Sequence, residues 1–213
     1  MGEILGLVLA GGRGTRMGGV EKGLVTLGGK PLVAHVLARL APQIDRIAIN
    51  ANRALDDYRA FGCPVLPDRV PGFAGPLAGI LAGLEWAERE GAAAIVTTAA
   101  DTPFLPRDLR VGLELASVAA ETDLALAASP DGSGRVRRHP TFGLWPVRLR
   151  ADLAAALEKG MRKIVVWTDS HGAATAVFDH GGDDPFFNIN TPEDLALAES
   201  RLARRQDAKD ETA

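Results

Sequence analysis

The chain has 213 residues, 46% apolar and 24% charged, with a formal net charge of −3. This is the profile of an ordinary globular domain, without general affinity for nucleic acid. One cysteine, Cys63, excludes an internal disulfide framework and a Cys-rich zinc site. No apolar run reaches membrane-spanning length, and Ile4–Ala10 is short and lacks the basic flank of a secretory signal, so the cytoplasm is the expected location.

In chain order, Ile4–Ala10 reads as a buried strand running into glycines. Pro31–Leu40 carries Leu32, Val33, Val36, Leu37 and Leu40 on one stripe and predicts a helix, with Pro31 at its first position. Arg46–Asn50 and Val65–Pro67 read as strands. Pro76–Glu90 is helical, Ala93–Thr98 is a buried strand leading to Asp101, and Pro106–Ala120 is helical again. Leu124–Ala128 and Phe142–Pro146 read as strands around a basic loop, Asp131–His139. Leu149–Lys159 is a helix closed by Gly160, Lys163–Trp167 and Ala174–Phe178 read as strands, and Pro192–Arg204 is the last helix. The alternation predicts a single α/β domain of Rossmann-like architecture over residues 1–205, a mainly parallel sheet with helices on both faces. The closer spacing of the later strands allows an antiparallel part. Residues 206–213 are expected to form a polar, disordered tail.

The stretch LVLAGGRGTRMGGVEKG, Leu7 to Gly23, is the densest signal. It is not a P-loop, because Val20-Glu21 follow Gly19 where Lys-Ser/Thr is required, and it is not a dinucleotide fingerprint, because Met17 replaces the third glycine. A glycine-rich turn after a strand still lets backbone N–H groups approach an anion, and Arg13, Arg16 and Lys22 supply the charge a triphosphate needs. Glycines alone would read as a flexible loop; the preceding strand and the cations favour phosphate. Asp101, at the carboxyl end of a buried strand, is well placed to hold Mg2+, with a turn aspartate in Asp101-Thr102-Pro103 as the competing reading. Asn50 and Asp68 end strands at the same edge if the sheet is parallel, and are either nucleotide contacts or turn residues. Arg135, Arg137, Arg138 and His139 form the densest basic stretch. His35, His171 and His180 read as structural or exposed. In FFNINTPEDL, Thr191, Pro192 and Asp194 make a helix start with a capping box, and an extended chain before it would turn Asn188 and Asn190 to one surface and Phe187 and Ile189 to the core.

The set Leu9-Ala10-Gly11-Gly12, Arg16-Met17-Gly18 and Lys22 resembles the N-terminal signature of nucleotidyltransferases that couple a nucleoside triphosphate to a small phosphorylated acceptor. Within that superfamily the whole chain resembles the molybdenum cofactor guanylyltransferases, through Asn50-Ala51-Asn52-Arg53, Gly75-Pro76-Leu77-Ala78-Gly79, Asp101-Thr102-Pro103, His139-Pro140-Thr141 and Asn188-Ile189-Asn190-Thr191-Pro192. Glu21 stands where that family often has Asp and keeps its charge. The resemblance implies a nucleotide-diphospho-sugar-transferase-type fold, and formation of molybdopterin guanine dinucleotide and pyrophosphate from GTP and molybdopterin. It implies Mg2+ as cofactor, held by Asp101. Arg16, Lys22 and Asp101 would be catalytic, and Leu9, Ala10, Gly11, Gly12, Lys22, Asn50, Asp68, Gly75 and Asp101 would contact the nucleotide. Arg138, His139, Asn188 and Asn190 would contact the acceptor. Transient contact with cofactor-inserting or molybdoenzyme-specific proteins is the only protein partnership expected, with no nucleic acid and no membrane. The same chemistry with CTP and a non-catalytic cofactor carrier are the alternatives.

Overall fold

The computed structural model describes residues 2–11, 21–69, 75–179 and 181–210, the side chains of 205–210 excepted. Its frame is a seven-stranded sheet of β1 (Ile4–Leu9), β4 (Ile47–Asn50), β5 (Val65–Leu66), β6 (Ala94–Ala99), β7 (Ala125–Pro130), β8 (Val136–Pro146) and β9 (Ala174–Val177), in the order β5-β4-β1-β6-β8-β7-β9. Every pairing is parallel except those of β8, which runs antiparallel to both β6 and β7. The antiparallel part expected from the spacing is thus a single inserted strand. A small hairpin, β2 (Thr26–Leu27) and β3 (Lys30–Pro31), stands apart from the sheet. Gly28 and Gly29 form its turn with φ of 54° and 77°, a region open to glycine at no steric cost.

The central strands β1 and β6 are buried on both faces, and period-2 alternation sorts the core into two layers. Ile4 and Val8 of β1 pack with Val33, Val36 and Leu40 of α1 (Leu32–Leu40) and with Leu109 and Leu113 of α4 (Leu109–Ala119). Leu5 and Leu7 point the other way, onto α3 (Pro76–Arg89), α5 (Arg150–Glu158) and α6 (Ile164–Ser170). A third cluster joins Leu27, Leu32, Phe104, Ile189 and Ala198, so that α7 (Pro192–Asp210) packs with the hairpin, the start of α1 and Phe104, which lies beyond the end of β6.

Several readings of the sequence need correction. Lys163–Trp167 is no strand. Ile164, Trp167 and Thr168 are buried at i, i+3 and i+4 of a helix, and Trp167 donates to Asp152 at 3.0 Å and packs on Trp145, so tertiary contact overrides the β preference of Ile-Val-Val. Val136–His139 is strand rather than loop, paired to Ala127–Pro130. Pro31 lies in β3 and precedes the helix, which starts at Leu32, while Pro106–Asp108 precede the helix expected from Pro106. The short α2 (Leu55–Arg59) and the β2–β3 hairpin carry too few residues for a periodic signal. The last helix continues past Arg204 to Asp210.

Candidate functional site

Register places the site. Leu9 pairs with Asn50 on one side and Ala99 on the other, and Asn50 pairs with Leu66, so four strands end in one row. The residues just past that row line a cavity of about 350 Å3. Its floor is Leu9, Ala10, Gly11, Ala99 and Ala100, and the carboxyl edge of a parallel sheet is where such folds bind ligands. Gly75 and Pro76, at the start of α3, complete one rim. Gly75 has φ 74°, which a side chain would strain, and Pro76 opens the helix as the sequence indicated.

One wall is a polar group built from three side chains. Asn50 Nδ2 donates to the Leu66 carbonyl at 2.9 Å and to Asp68 Oδ1 at 2.8 Å, and Asn52 Nδ2 donates to Asp68 Oδ2 at 2.9 Å. Asn50 and Asp68, predicted to share an edge, therefore touch. Asn52, quoted only as part of a motif, is their third member.

The opposite wall holds the charge. Lys22 lies in a 3-10 turn, Lys22–Leu24. A Cβ on Gly23 would come within 2.7 Å of the Tyr58 hydroxyl and 3.1 Å of Ala100 Cβ, so only glycine lets this turn seat against the end of β6. The Lys22 ammonium then stands 3.6 Å from Asp101 Oδ2 and donates to Asn190 Oδ1. Burial pushes the Asp101 carboxyl above the usual aspartate range, opposed by Lys22 and by a hydrogen bond from Asn188. Burial also raises the neighbouring Glu21 carboxyl, against Arg53. The backbone N–H of Ile189 donates to the Asp101 carbonyl at 2.9 Å, which locks the Asn188–Asn190 segment to the strand end. The capping box is as expected: Asp194 Oδ2 accepts from Asn190 and Thr191 N–H, each at 2.9 Å, and Thr191 Oγ1 accepts from Asp194 N–H at 3.2 Å. Ile189 is buried, as read.

A second cleft, about 430 Å3, adjoins the first and shares Thr141 and Asn188 with it. Arg138, His139, Asn188 and Asn190 all line it, so the structure gathers the four predicted acceptor residues. Both arginines there are paired: Arg137 with Asp184 at 2.6 Å, and Arg138 with Asp169 at 2.6 and 3.2 Å. His139 stacks on Phe186 with centroids 4.2 Å apart, and its Nε2 lies 2.8 Å from Ser129 Oγ. Burial, reinforced by Arg137 and opposed by Asp184, lowers its pKa to about 4, so it is a neutral ring at physiological pH. The seam between the clefts is a bulge. Pairing of β7 and β8 jumps from Leu126–Gly143 to Ala127–His139, leaving Pro140, Thr141 and Phe142 out of register. The motif His139-Pro140-Thr141 therefore marks a backbone device as well as side chains.

Gly12 and Arg16 lie outside the described residues, as does His180. His35 meets the Leu27 carbonyl at 2.8 Å and His171 meets Asp152 at 2.9 Å, both away from the clefts. Among the described residues no group of three or more His, Cys, Asp or Glu could enclose a metal. Asp101 is the acidic side chain that meets the lysine. The residues that sequence reasoning left unassigned on the cavity are Gly23, Pro76, Ala99, Ala100 and Thr141. Three of these directly adjoin residues it named, the register of the strand ends supplies Ala99, and the β8 bulge supplies Thr141.

Residues 6–175 match the family model of the MobA-like NTP transferase domain. A molybdenum cofactor guanylyltransferase of Bradyrhizobium sp. (strain ORS 278) is 51% identical over 205 residues, covering 95% of this chain and 94% of its own. One of Cereibacter sphaeroides is 48% identical over 206 residues, covering 97% and 100%. Among solved structures, the molybdopterin-guanine dinucleotide biosynthesis protein A of Archaeoglobus fulgidus is similar with a TM-score of 0.72 at 25% identity, over 94% of this chain and 99% of that one.

Proposed function

The chain belongs to the MobA-like NTP transferase family, and we propose that it transfers GMP from GTP to molybdopterin, giving molybdopterin guanine dinucleotide and pyrophosphate. The observation that carries this reading is the Lys22–Asp101 pair, which lines the first cleft, fit for the nucleotide, and is hydrogen-bonded through Asn190 and Asn188 to the second, fit for the acceptor. The acceptor's terminal phosphate is already ionised, so no general base is needed. One of its oxygens bonds to the α-phosphorus of GTP as the bond to the β-phosphate oxygen breaks, and the electron pair leaves with pyrophosphate. Both reactants are anions, so catalysis is alignment and charge neutralisation.

The Lys22 ammonium neutralises phosphate charge as it builds, and Asn190 holds that ammonium in place. A divalent cation fits the same corner. Asp101 is a carboxylate whose burial disfavours its charge, a state that a metal relieves, and Mg2+ needs only one or two carboxylates when substrate phosphates complete its shell. Mg2+ bound there would add positive charge against the departing pyrophosphate. Asn50, Asp68 and Gly75 face the nucleoside. Arg138, Asn188 and Asn190 face the acceptor, with His139 as an uncharged wall beside it. Cys63 is free, which suits a reducing compartment, and we place the reaction in the cytoplasm. No described helix is long and apolar enough to cross a membrane.

The test is pyrophosphate release with each of GTP, CTP and ATP, with and without molybdopterin. Acceptor-dependent release with GTP is expected. Release with CTP in preference to GTP would replace this reading by the cytidylyl one, and nucleotide binding without release would make the protein a carrier.

A further inference from the structure

Two faces of α4 are apolar, and only one of them is buried. Leu109, Leu113 and Ser117 point into the core at i, i+4 and i+8. On the opposite side Val111, Leu115 and Val118 follow at i, i+4 and i+7 and stand 54%, 65% and 58% exposed. The outer face of a helix packed on a sheet is ordinarily polar, so this ridge lacks a covering surface. The charges beside it are mostly spent within the chain: Arg110 donates to Glu114 at 3.3 Å and to the Gln43 carbonyl at 3.1 Å, and Asp108 is engaged as well. The two left over are Arg107, just before the helix, and Glu121, just after it. Both are exposed, and among the described residues neither has a side-chain partner. Each stands at the wrong end of the helix dipole, the cation at the positive N-terminus and the carboxylate at the negative C-terminus. Glu121 also has φ 51°, the left-handed position that glycine commonly takes after a helix.

We propose that the ridge is covered by α4 of a second copy of this chain, antiparallel about a two-fold axis at Leu115. Leu115 then meets its own counterpart, and Val111 of each copy packs beside Val118 of the other. Arg107 and Glu121 lie at similar distances from Leu115, about 12 Å and about 9 Å at 1.5 Å per residue. The two-fold therefore brings Arg107 of each copy to Glu121 of the other, within the span of an arginine side chain. It also sets the positive end of each helix against the negative end of its neighbour, which relieves both misplaced charges. An isologous contact requires a patch complementary to itself, and this match of ridge to ridge and of opposite charges at opposite ends assigns the face to a second copy. No residue of α4 lines either cleft, so both clefts stay open in the pair. One helix face is smaller than the roughly 800 Å2 per partner of a standard interface, so the association is weak, with a Kd on the order of 100 µM. The inference is independent of the guanylyl reading.

The test is sedimentation equilibrium of the full chain from about 10 µM to about 1 mM. The mean mass is expected to rise from that of one chain toward that of two. Leu115→Glu sets two carboxylates against each other at the axis and should weaken association at least about tenfold. Its melting temperature and pyrophosphate release should match the wild type, because the side chain points away from the core and both clefts. Arg107→Glu and Glu121→Arg should each weaken the pair by about tenfold through like charges, and the double exchange should restore it. General stickiness of an apolar ridge would not give that rescue. A chain that stays single up to about 1 mM would overturn the assignment and leave the ridge to a protein of another kind. Association that Leu115→Glu leaves intact, or that the double exchange fails to restore, would overturn the antiparallel pair.

Discussion

His139 makes a prediction about acid stability that separates a buried structural ring from a charged phosphate ligand. Its pKa is lowered from 6.5 to about 4, first by burial, with Arg137 adding to the shift and Asp184 resisting it. In the unfolded chain the ring regains the ordinary value. Between these two values the unfolded state takes up a proton that the folded state refuses. The stability contributed by the neutral ring is therefore fully present above pH 6.5 and is lost as pH falls toward 4. With those two pKa values the loss from about pH 7.5 to about pH 4.5 would reach about 2.5 kcal/mol for a fully desolvated ring, and screening by solvent at this half-buried one reduces it to about 1–2 kcal/mol. His139→Phe keeps a ring against Phe186, removes the titration and gives up the contact to Ser129. Urea unfolding at the two pH values, for both proteins, isolates the effect, because the carboxylates that also titrate are common to both. The variant should start less stable at the higher pH and lose less on acidification, by roughly 1–2 kcal/mol. Parallel losses in the two proteins would show that His139 protonates normally in the fold. It would then be available as a cation in the second cleft, contrary to the geometry described.

Four further predictions concern the proposed site. Asp101→Asn keeps shape and removes charge, and turnover should fall at least about a hundredfold at all Mg2+ concentrations, read by pyrophosphate release. Because burial raises the Asp101 pKa, protons should compete with Mg2+ there, so the Mg2+ concentration for half-maximal rate should climb, as pH is lowered, from a higher pH than an exposed aspartate would give. Lys22→Ala should reduce kcat more than it weakens GTP binding, as expected of a charge that acts on the transition state; equal losses would make Lys22 a ground-state ligand only. Gly79→Ala should push Asn50 out of place, since the new Cβ would sit 2.2 Å from its Oδ1. KM for GTP should rise roughly tenfold and the melting temperature should fall, because losing the bonds of buried Asn50 to Leu66 and Asp68 outweighs the roughly 1 kcal/mol that Ala gains in a helix interior.

Legibility in the sequence followed the physics of each element. Strands buried on both faces leave long apolar runs, so β1 and β6 were plain, and α1, α3 and α4 had stripes wide enough to find. Residues at strand ends were legible for the same reason: once Ile4–Ala10 and Ala93–Thr98 were strands, Gly11 and Asp101 had to follow them at one edge. The run Ile164-Val165-Val166 misled because branched side chains favour strands in general, whereas here Trp167, docked on Trp145 and tied to Asp152, decides. The pairing of Arg138 was not visible in the sequence because its partner, Asp169, belongs to that misread helix. One error of secondary structure thus concealed one fact of electrostatics.

The β8 bulge shows a further limit, and explains why the site has two clefts. Pro140 has no N–H to give to a ladder, so proline in this strand had to sit at an irregularity. The sequence could indicate that much. It could not reveal that the irregularity spans Pro140 to Phe142, because that count depends on the register of β7 against both halves of β8. The consequence is functional. The segment from Gly143 onward continues β6's partner strand, pairing Thr97 with Gly143, while Val136–His139 follows β7 outward. Between them the chain steps aside at Thr141, and Thr141 is the residue that both clefts share with Asn188. An uninterrupted strand would hold the β7–β8 pairing in one register and carry a wall across this junction. The bulge instead lets the two clefts meet at Thr141 and Asn188, beside the Lys22–Asp101 pair that lines the first, which is the closeness that the proposed in-line transfer between two phosphates requires.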